Sequence, residues 1–408
     1  MSEAVIVAAA RSPIGRARKG SLATMRADDL TVQMITAALA QVPELNPSEI
    51  DDIMLGCGLP GGEQGNNMAR VVAVLLGLDR VPGTTITRYC SSSVQTTRMA
   101  LHAIKAGEGD VFVSAGVETV SRFDKGTSDS LADTQNPVFN NAQARTAETA
   151  QSQDSGWVDP RDTKDLPDVY ITMGQTAENV ARQWGVGRKD MDLFGVRSHN
   201  LAEKAIANGF FDAEISPVTL PDGTEVRLDD GPRAGVTYEA VAALKPVFRS
   251  DGGVTAGNSC PLNDGAAALI IMSDTKANAL GITPLARIVA TGVTALSPEI
   301  MGLGPVEASR QALRRAGMNI ADIDLIEINE AFAAQVIPSA QELGVDPFGD
   351  TLNVNGGAIA LGHPFGMTGA RITTTLLNNL RAADKTIGLE TMCVGGGQGM
   401  AMVLERLS

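Results

Sequence analysis

The sequence predicts an α/β protein made of two similar halves, with an insertion between them. Three observations carry that prediction. First, Val/Ile-rich strands without alternation are separated by helical stretches, the pattern of largely parallel sheets covered on both faces. Second, one plan occurs twice. DDIMLGCGLPGG, TTITRYCSSSVQTTRMALHAIKAG and DVFVSAGVE fill residues 51–118; DLIEINEAFAA, TLNVNGGAIALGHPFGMTGARITTTLLNNL and IGLETMCVGGGQG fill residues 324–399. Asp52 stands 38 residues before Cys90, Asp324 stands 39 before His363, and EAVIVAAARSPIG at residue 3 rhymes with ARIVATGVTALSP at 286. Third, residues 121–248 are of another kind. They open on a polar stretch and continue through helices around 174–184 and 189–208, as an insertion that elaborates a binding surface does. The predicted units are therefore 1–120 with 249–274, the insertion 121–248, and 275–408.

Composition bounds the function. At 408 residues, 44% hydrophobic and 20% charged, the chain can bury a large core. Its formal charge of −14 argues against a nucleic-acid or anionic-membrane partner. No run approaches the ~20 apolar residues of a membrane helix. The start, EAVIVAAARSPIG, lacks a basic n-region and reads as a buried first strand. Cys57, Cys90, Cys260 and Cys393 form no C-x-x-C pair, so neither a metal site nor a disulfide framework is indicated. A reduced, cytoplasmic protein is expected.

The strand TTITRY leads into Cys90, and Val94, Thr97, Leu101 and Ile104 recur behind it at helical spacing up to Gly107. Cys90 is thus placed at a helix N-terminus, where the dipole lowers a thiol's pKa. A lone cysteine is more often a buried structural residue; the strand–Cys–helix setting and the partners below reverse that preference. His363 lies between Gly362 and Pro364 in a stretch of nineteen residues, 353–371, that holds five glycines. Glycine lets a backbone approach a ligand closely, and Pro364 is expected to preset the first turn of a helix. His102 and His199 fall in ordinary helical sequence. Cys393 ends an apolar strand at GGG, a turn that exposes its first side chain and its N–H groups. Asn329 ends another strand, where a helix N-cap is the plainer role. Two thiols and one imidazole suit acyl transfer through a thioester. One thiolate attacks a carbonyl, the imidazole serves as its base, the second thiol moves a proton, and backbone N–H groups hold oxyanions.

Across essentially the whole chain the sequence resembles the thiolase family. The resemblance is carried by ARSPIG, RYCSSSVQT, SAGVETVS, MGQTAENVA, LKPVF with GGVTAGNSCPLNDGAA, GLGPVEA, NEAFAAQ, NVNGGAIALGHPFGMTGAR and CVGGGQG, in that order. It implies a layered αβαβα fold of duplicated halves with an inserted CoA-binding loop domain, usually as a homodimer or homotetramer. It implies acyl-CoA:acetyl-CoA C-acyltransferase activity, with thiolysis of a 3-oxoacyl-CoA preferred over condensation and a place in fatty-acid β-oxidation or related degradation. Coenzyme A is then a substrate, and no cofactor is implied. Carried over by position, Cys90 is acylated, His363 activates it, and Cys393 exchanges a proton with the acetyl α-carbon. Asn329 holds a water that forms one oxyanion hole with His363; the N–H groups of Cys90 and Gly395 form the other. Met173, Arg233, Ala256, Cys260 and Phe332 would contact CoA, Arg233 near the nucleotide phosphates. Ser93 stands where the family usually has glycine, Cys260 where a small residue is usual, and Thr172 where many biosynthetic members carry histidine.

Three other readings compete with this one. A β-ketoacyl synthase fits CSSS but pairs its cysteine with two histidines or His and Asn, and needs no Cys393. A nicotinamide-dependent oxidoreductase fits GCGLPG (56–61) as G-x-G-x-x-G, yet the polar GEQGNN that follows is a poor helix opening. A non-catalytic CoA-binding protein has no use for Cys90, His363, Asn329 and Cys393 together.

Overall fold

A computed structural model describes residues 2–129, 131–151 and 156–408. Part of the polar stretch that opens the insertion therefore lies outside the described residues. Nine strands form one continuous path: β1 (Ala4–Arg11), β2 (Asp52–Cys57), β3 (Gly83–Ile86), β4 (Val111–Thr119), β5 (Asn263–Ser273), β6 (Ala286–Ala295), β7 (Leu325–Ile328), β8 (Ile387–Val394) and β9 (Gln398–Arg406). Their order is β7-β8-β9-β6-β1-β5-β4-β2-β3. The path reads nearly the same from either end, and within it the strands of the two halves join where Val5 and Ile6 of β1 pair with Arg287 and Ala286 of β6.

The repeat is visible residue by residue. β2 lies parallel to β3 and β4, and β7 lies parallel to β8 and makes an isolated parallel bridge from Ile326 to Leu352 where β3 would be. Asp51 Oδ2 accepts from the N–H groups of Asp110 and Val111; Asp324 Oδ2 accepts from those of Thr386 and Ile387. The residue equivalent to Asp324 is therefore Asp51 rather than Asp52, and both stand 39 residues before their reactive side chain.

The expectation of largely parallel strands is corrected. The β1–β5, β4–β5, β1–β6, β6–β9 and β8–β9 pairs are all antiparallel. The strands lack alternation because helices cover both faces of each half, and burial rather than strand direction sets that pattern. On β4, Val111, Val113, Ala115 and Val117 face one apolar cluster with the outer helix α1 (Ala27–Leu39), whereas Phe112 belongs to the central cluster.

That central layer holds α2 (Ser92–Ala106) and α9 (Thr368–Ala382), whose Val94, Leu101, Ile104, Ala370, Ile372 and Leu376 pack with Leu269 and Ile271 of β5 and with Met400 and Met402 of β9. Helix α6 (Gly304–Ala316) covers the opposite outside through Ala308, Ala312 and Leu313. The order of layers is αβαβα. The insertion contributes α3 (Asn140–Gln151), α4 (Met173–Gln183) and α5 (Arg188–Ala207), the last two within a residue of their predicted spans. Helices α7 (Ala333–Glu342) and α8 (Ala358–Leu361) follow β7. Among the described residues, no helix is long and apolar enough to cross a membrane.

The middle layer is thin because glycine lets backbones touch. A Cβ on Gly116 of β4 would overlap the carbonyl oxygen of Gly366 and crowd Ser93. Gly116→Ala should therefore destabilise the protein by about 1–3 kcal/mol, the usual range for overpacking. A lower urea midpoint with an unchanged m-value is the expected observation.

Candidate active site

Cys90 lies on the single 3-10 turn Tyr89–Ser91 that leads into α2, and Tyr89 enters it with a φ of +43°. The backbone N–H groups of Cys90 and Gly395 favour the charged form of the thiol. Gly395 belongs to the tight β8–β9 connection, where Gly396 and Gly397 take φ of +77° and +81°. A Cβ at Gly395 would stand 3.3 Å from the Tyr89 ring and 3.8 Å from Met173 Sδ.

The helix terminus does not hold Cys90 as a preformed thiolate. Burial pushes the Cys90 thiol up to about 12; the two N–H donors pull the other way without overcoming it. Cys393 and Cys260 lie within electrostatic reach of Cys90, and burial raises both thiols. Cys393 is fully buried at the end of β8, so the glycine turn exposes less of it than expected.

His363 is 1% exposed. It follows the one-turn helix α8 rather than a strand, and α9 begins only at Thr368, so Pro364 does not open that helix. Its ring is oriented from both sides. Asn329 Nδ2 lies 3.3 Å from Nε2, and Thr368 Oγ1 lies 2.6 Å from Nδ1 and donates onward to the Pro364 carbonyl at 2.8 Å. Thr368 thus receives the Nδ1 proton, and Nε2 is left as the basic nitrogen. Burial, with Arg371 nearby, pushes His363 down to about 3. The resting site therefore pairs a neutral thiol with a neutral imidazole, and no hydrogen bond joins Cys90 directly to His363.

Asn329 does not cap a helix: the N-cap of α7 is Phe332. Its own carbonyl accepts from Gln335 Nε2 at 2.7 Å, while its Oδ1 is buried without a protein partner. Ser93 also has a definite place. Its Oγ accepts from the N–H of Ala370 in the first turn of α9, which ties the nucleophile's helix to the histidine's.

Two residues were missed. Glu118, at the end of β4, is buried and accepts from the N–H groups of Gly58, Leu59 and Gly366 and from Gln64 Nε2. Glu330 accepts from Ser198 Oγ, Asn353 Nδ2 and the N–H of Ile359, and so fixes the loop before α8. Glu118 lies near the end of β4 and Glu330 just past β7, and their donors are distant in sequence, which left no local signal for either role.

The residues expected to contact CoA are dispersed around this centre. Met173 starts α4; Phe332 is buried and meets Phe248 edge-to-face with centroids 6.2 Å apart; the Cys260 N–H donates to the Ala331 carbonyl. Ala256, Arg233 and Thr172 are exposed. GCGLPG opens onto a three-residue 3-10 turn at Gly62–Gln64, not a helix that could face a pyrophosphate.

Models of two family domains match this chain: the thiolase N-terminal domain over residues 4–275 and the thiolase C-terminal domain over residues 282–406. A 3-ketoacyl-CoA thiolase of Bacillus subtilis is 41% identical, covering 99% of this chain and 100% of the relative. The 3-oxoadipyl-CoA/3-oxo-5,6-dehydrosuberyl-CoA thiolase of Escherichia coli is 43% identical, with both chains covered completely. Among solved structures, Bacillus anthracis acetyl-CoA acetyltransferase superposes with a TM-score of 0.86 at 39% identity, over 100% of this chain and 99% of that one. Human mitochondrial 3-ketoacyl-CoA thiolase in complex with CoA superposes with a TM-score of 0.85 at 33% identity, over 100% and 98%.

A thiol held near 12 ionises about tenfold more for each pH unit up to that value, whereas a thiol lowered by a helix terminus would saturate near neutrality. His363, neutral above about pH 4, adds no break. Alkylation of Cys90 by iodoacetamide, followed by peptide mass spectrometry, should therefore rise about tenfold per unit from pH 6 to 9 without a plateau.

Proposed function

The chain belongs to the thiolase family and is an acyltransferase, and on that premise we infer that it cleaves 3-oxoacyl-CoA with CoA through an acyl-Cys90 intermediate. The observation that carries this reading is the gathering of Cys90, Cys393 and the Gly395 N–H in one buried centre, with Cys393 within electrostatic reach of Cys90.

With a 3-oxoacyl thioester in the site, Cys90 Sγ attacks the C3 carbonyl carbon while His363 Nε2 takes the thiol proton. Because both groups start neutral, charge appears only as the carbon–sulfur bond forms, and the backbone N–H groups are already aimed at the developing negative charge. Collapse of the tetrahedral adduct breaks the C2–C3 bond. The electron pair moves to C2, where Cys393 delivers a proton and acetyl-CoA leaves; the remaining acyl group stays on Cys90. The thiol of CoA then attacks that thioester, and its proton passes to the site's bases as the shortened acyl-CoA departs. Asn329, with its unpartnered Oδ1 beside His363, suits the water assigned to the second oxyanion hole. Met173, Ala256, Cys260 and Phe332 border the pantetheine path in this reading, and the exposed Arg233 meets the nucleotide phosphates.

The direction is degradative: thiolysis of a 3-oxoacyl-CoA is favourable, and the named relatives include a 3-ketoacyl-CoA thiolase and a 3-oxoadipyl-CoA thiolase. Fatty-acid β-oxidation is one such route. Cytoplasmic residence belongs to the same proposal and rests on the cysteine usage and composition; assembly as a homodimer or homotetramer and independence of any cofactor rest on the family resemblance.

Incubation with acetoacetyl-CoA in the absence of free CoA should add one acetyl group to the Cys90 peptide, and added CoA should remove it. Label on Cys393 would reverse the two thiols. CoA binding without any label would sink the catalytic reading.

A further inference from the structure

Asn329 and His363 meet at 3.3 Å but belong to different pieces of chain: Asn329 follows β7, and His363 follows α8. His363 has its own anchors, Thr368 at Nδ1 and Asn263 Oδ1, which accepts from its backbone N–H at 3.0 Å. Asn329 is tied to β8 by its N–H on the Thr391 carbonyl, and to α7 by Gln335. None of these bonds joins the two turns.

Glu330 does join them. It is next to Asn329 in the chain and fully buried. Its Oε2 accepts from the Ile359 N–H of α8 at 3.1 Å and from Ser198 Oγ of α5 at 2.6 Å; its Oε1 accepts from Asn353 Nδ2 at 2.9 Å. Ser198 Oγ in turn accepts from the Gly357 N–H, just before α8, at 3.1 Å. The fit is close, since a Cβ on Gly357 would fall 2.4 Å from the Glu330 carboxylate carbon. Three donors converge here, and an amide cannot replace the carboxylate. Its NH2 would face Asn353 Nδ2 or, turned over, the Ile359 N–H, donor against donor. Asn353 cannot flip to accept, because its Oδ1 accepts from the Ile328 N–H and its Nδ2 donates to the Ile328 carbonyl, both at 2.9 Å.

We propose that Glu330 is a positioning residue for thiolysis: its carboxylate sets the spacing of Asn329 and His363, and Ser198 makes α5 of the insertion part of the same bracket. Helix α5 also holds the loop of Arg233. Glu203 Oε2 accepts from the Gly235 N–H at 2.9 Å, and in that loop Gly231 packs so closely on α8 that a Cβ would lie 2.4 Å from the Ala360 carbonyl oxygen. The residue expected at the nucleotide phosphates and the base that serves Cys90 therefore share one support. Acyl transfer is sensitive to such spacing, because a displacement of about 1 Å can cost on the order of 100-fold in rate. The roles of Asn329, His363 and Arg233 rest on the thiolase reading; the bracket rests on its hydrogen bonds.

Glu330→Gln and Ser198→Ala test it; the second removes one hydroxyl and guards against misfolding of the first. With acetoacetyl-CoA and CoA, Glu330→Gln should lower kcat at least tenfold and Ser198→Ala at least threefold, while KM for either substrate changes less than threefold. Alkylation of Cys90 by iodoacetamide should stay at the wild-type rate, since the Cys90 turn is not part of the bracket. Because the chain has only three histidines, 15N-histidine labelling gives a direct readout. The His363 Nε2 resonance should move to lower field in both variants as the Asn329 bond lengthens, while Nδ1, held by Thr368, stays in place. Alkylation falling in step with kcat, a raised KM with unchanged kcat, or an unmoved Nε2 resonance would overturn the proposal. A wild type inactive on acetoacetyl-CoA would instead reject the thiolase reading, and the Nε2 shift alone would then decide the bracket.

Discussion

The carboxylate of Glu118 holds the site together. It is fully buried at the end of β4, where an uncompensated charge would cost several kcal/mol. Three backbone N–H groups and one side-chain amide offset that cost. Two of the N–H groups lie on the loop after β2, and the third, from Gly366, lies on the histidine's turn in the other half. One side chain thus ties the Cys90 half to the His363 half at the point where the helices α2 and α9 begin. Ser93 repeats the tie one layer deeper through Ala370. Neither turn can drift without leaving a buried group unpaired, so the geometry of nucleophile and base follows from hydrogen-bond satisfaction as much as from packing.

Burial also sets the chemistry. Excluding water raises the thiol and lowers the imidazole, so the resting pair is uncharged. Such a site invests nothing in a standing ion pair. Its polar groups, the N–H of Cys90 and Gly395 and the oriented Nε2 of His363, become effective when a thioester brings charge into a low-dielectric space. A thiolate exposed at a helix end would react with any electrophile; this thiol waits for one that fits.

Much of this was legible in the sequence, for identifiable reasons. Cys90, His363, Asn329 and Cys393 each sit where an apolar run meets small or polar residues, and the doubled plan of two halves was visible, although it paired Asp324 with Asp52 where the structure pairs it with Asp51. The errors arose where tertiary burial overrode local signals. Strands covered on both faces look alike whether parallel or antiparallel, so direction could not be read from composition. The dipole at the start of α2 is a local effect of modest size, and desolvation by the whole fold exceeds it. Pro364 suggested a helix start because its φ suits one, but the chain needs three more residues to carry His363 inward. Glu118 and Glu330 escaped notice because a buried carboxylate is recognisable only once its N–H donors, far away in sequence, are in place.

The central position of β1 has a consequence for biosynthesis. This strand is synthesised before its partners and pairs along its length with β5, so that Ala4 faces Ser273. Its other edge meets β6 at residues 286 and 287. At ordinary elongation rates of about 5–20 residues per second, roughly 15–50 s pass before either partner exists. For that time AVIVAAAR is an apolar segment with two open edges, the kind of sequence that pairs with whatever strand is nearest. Nascent chains on one polysome carry the same segment in the same state. Safe production of the protein therefore depends on something occupying that strand until the middle of the sheet can close around it.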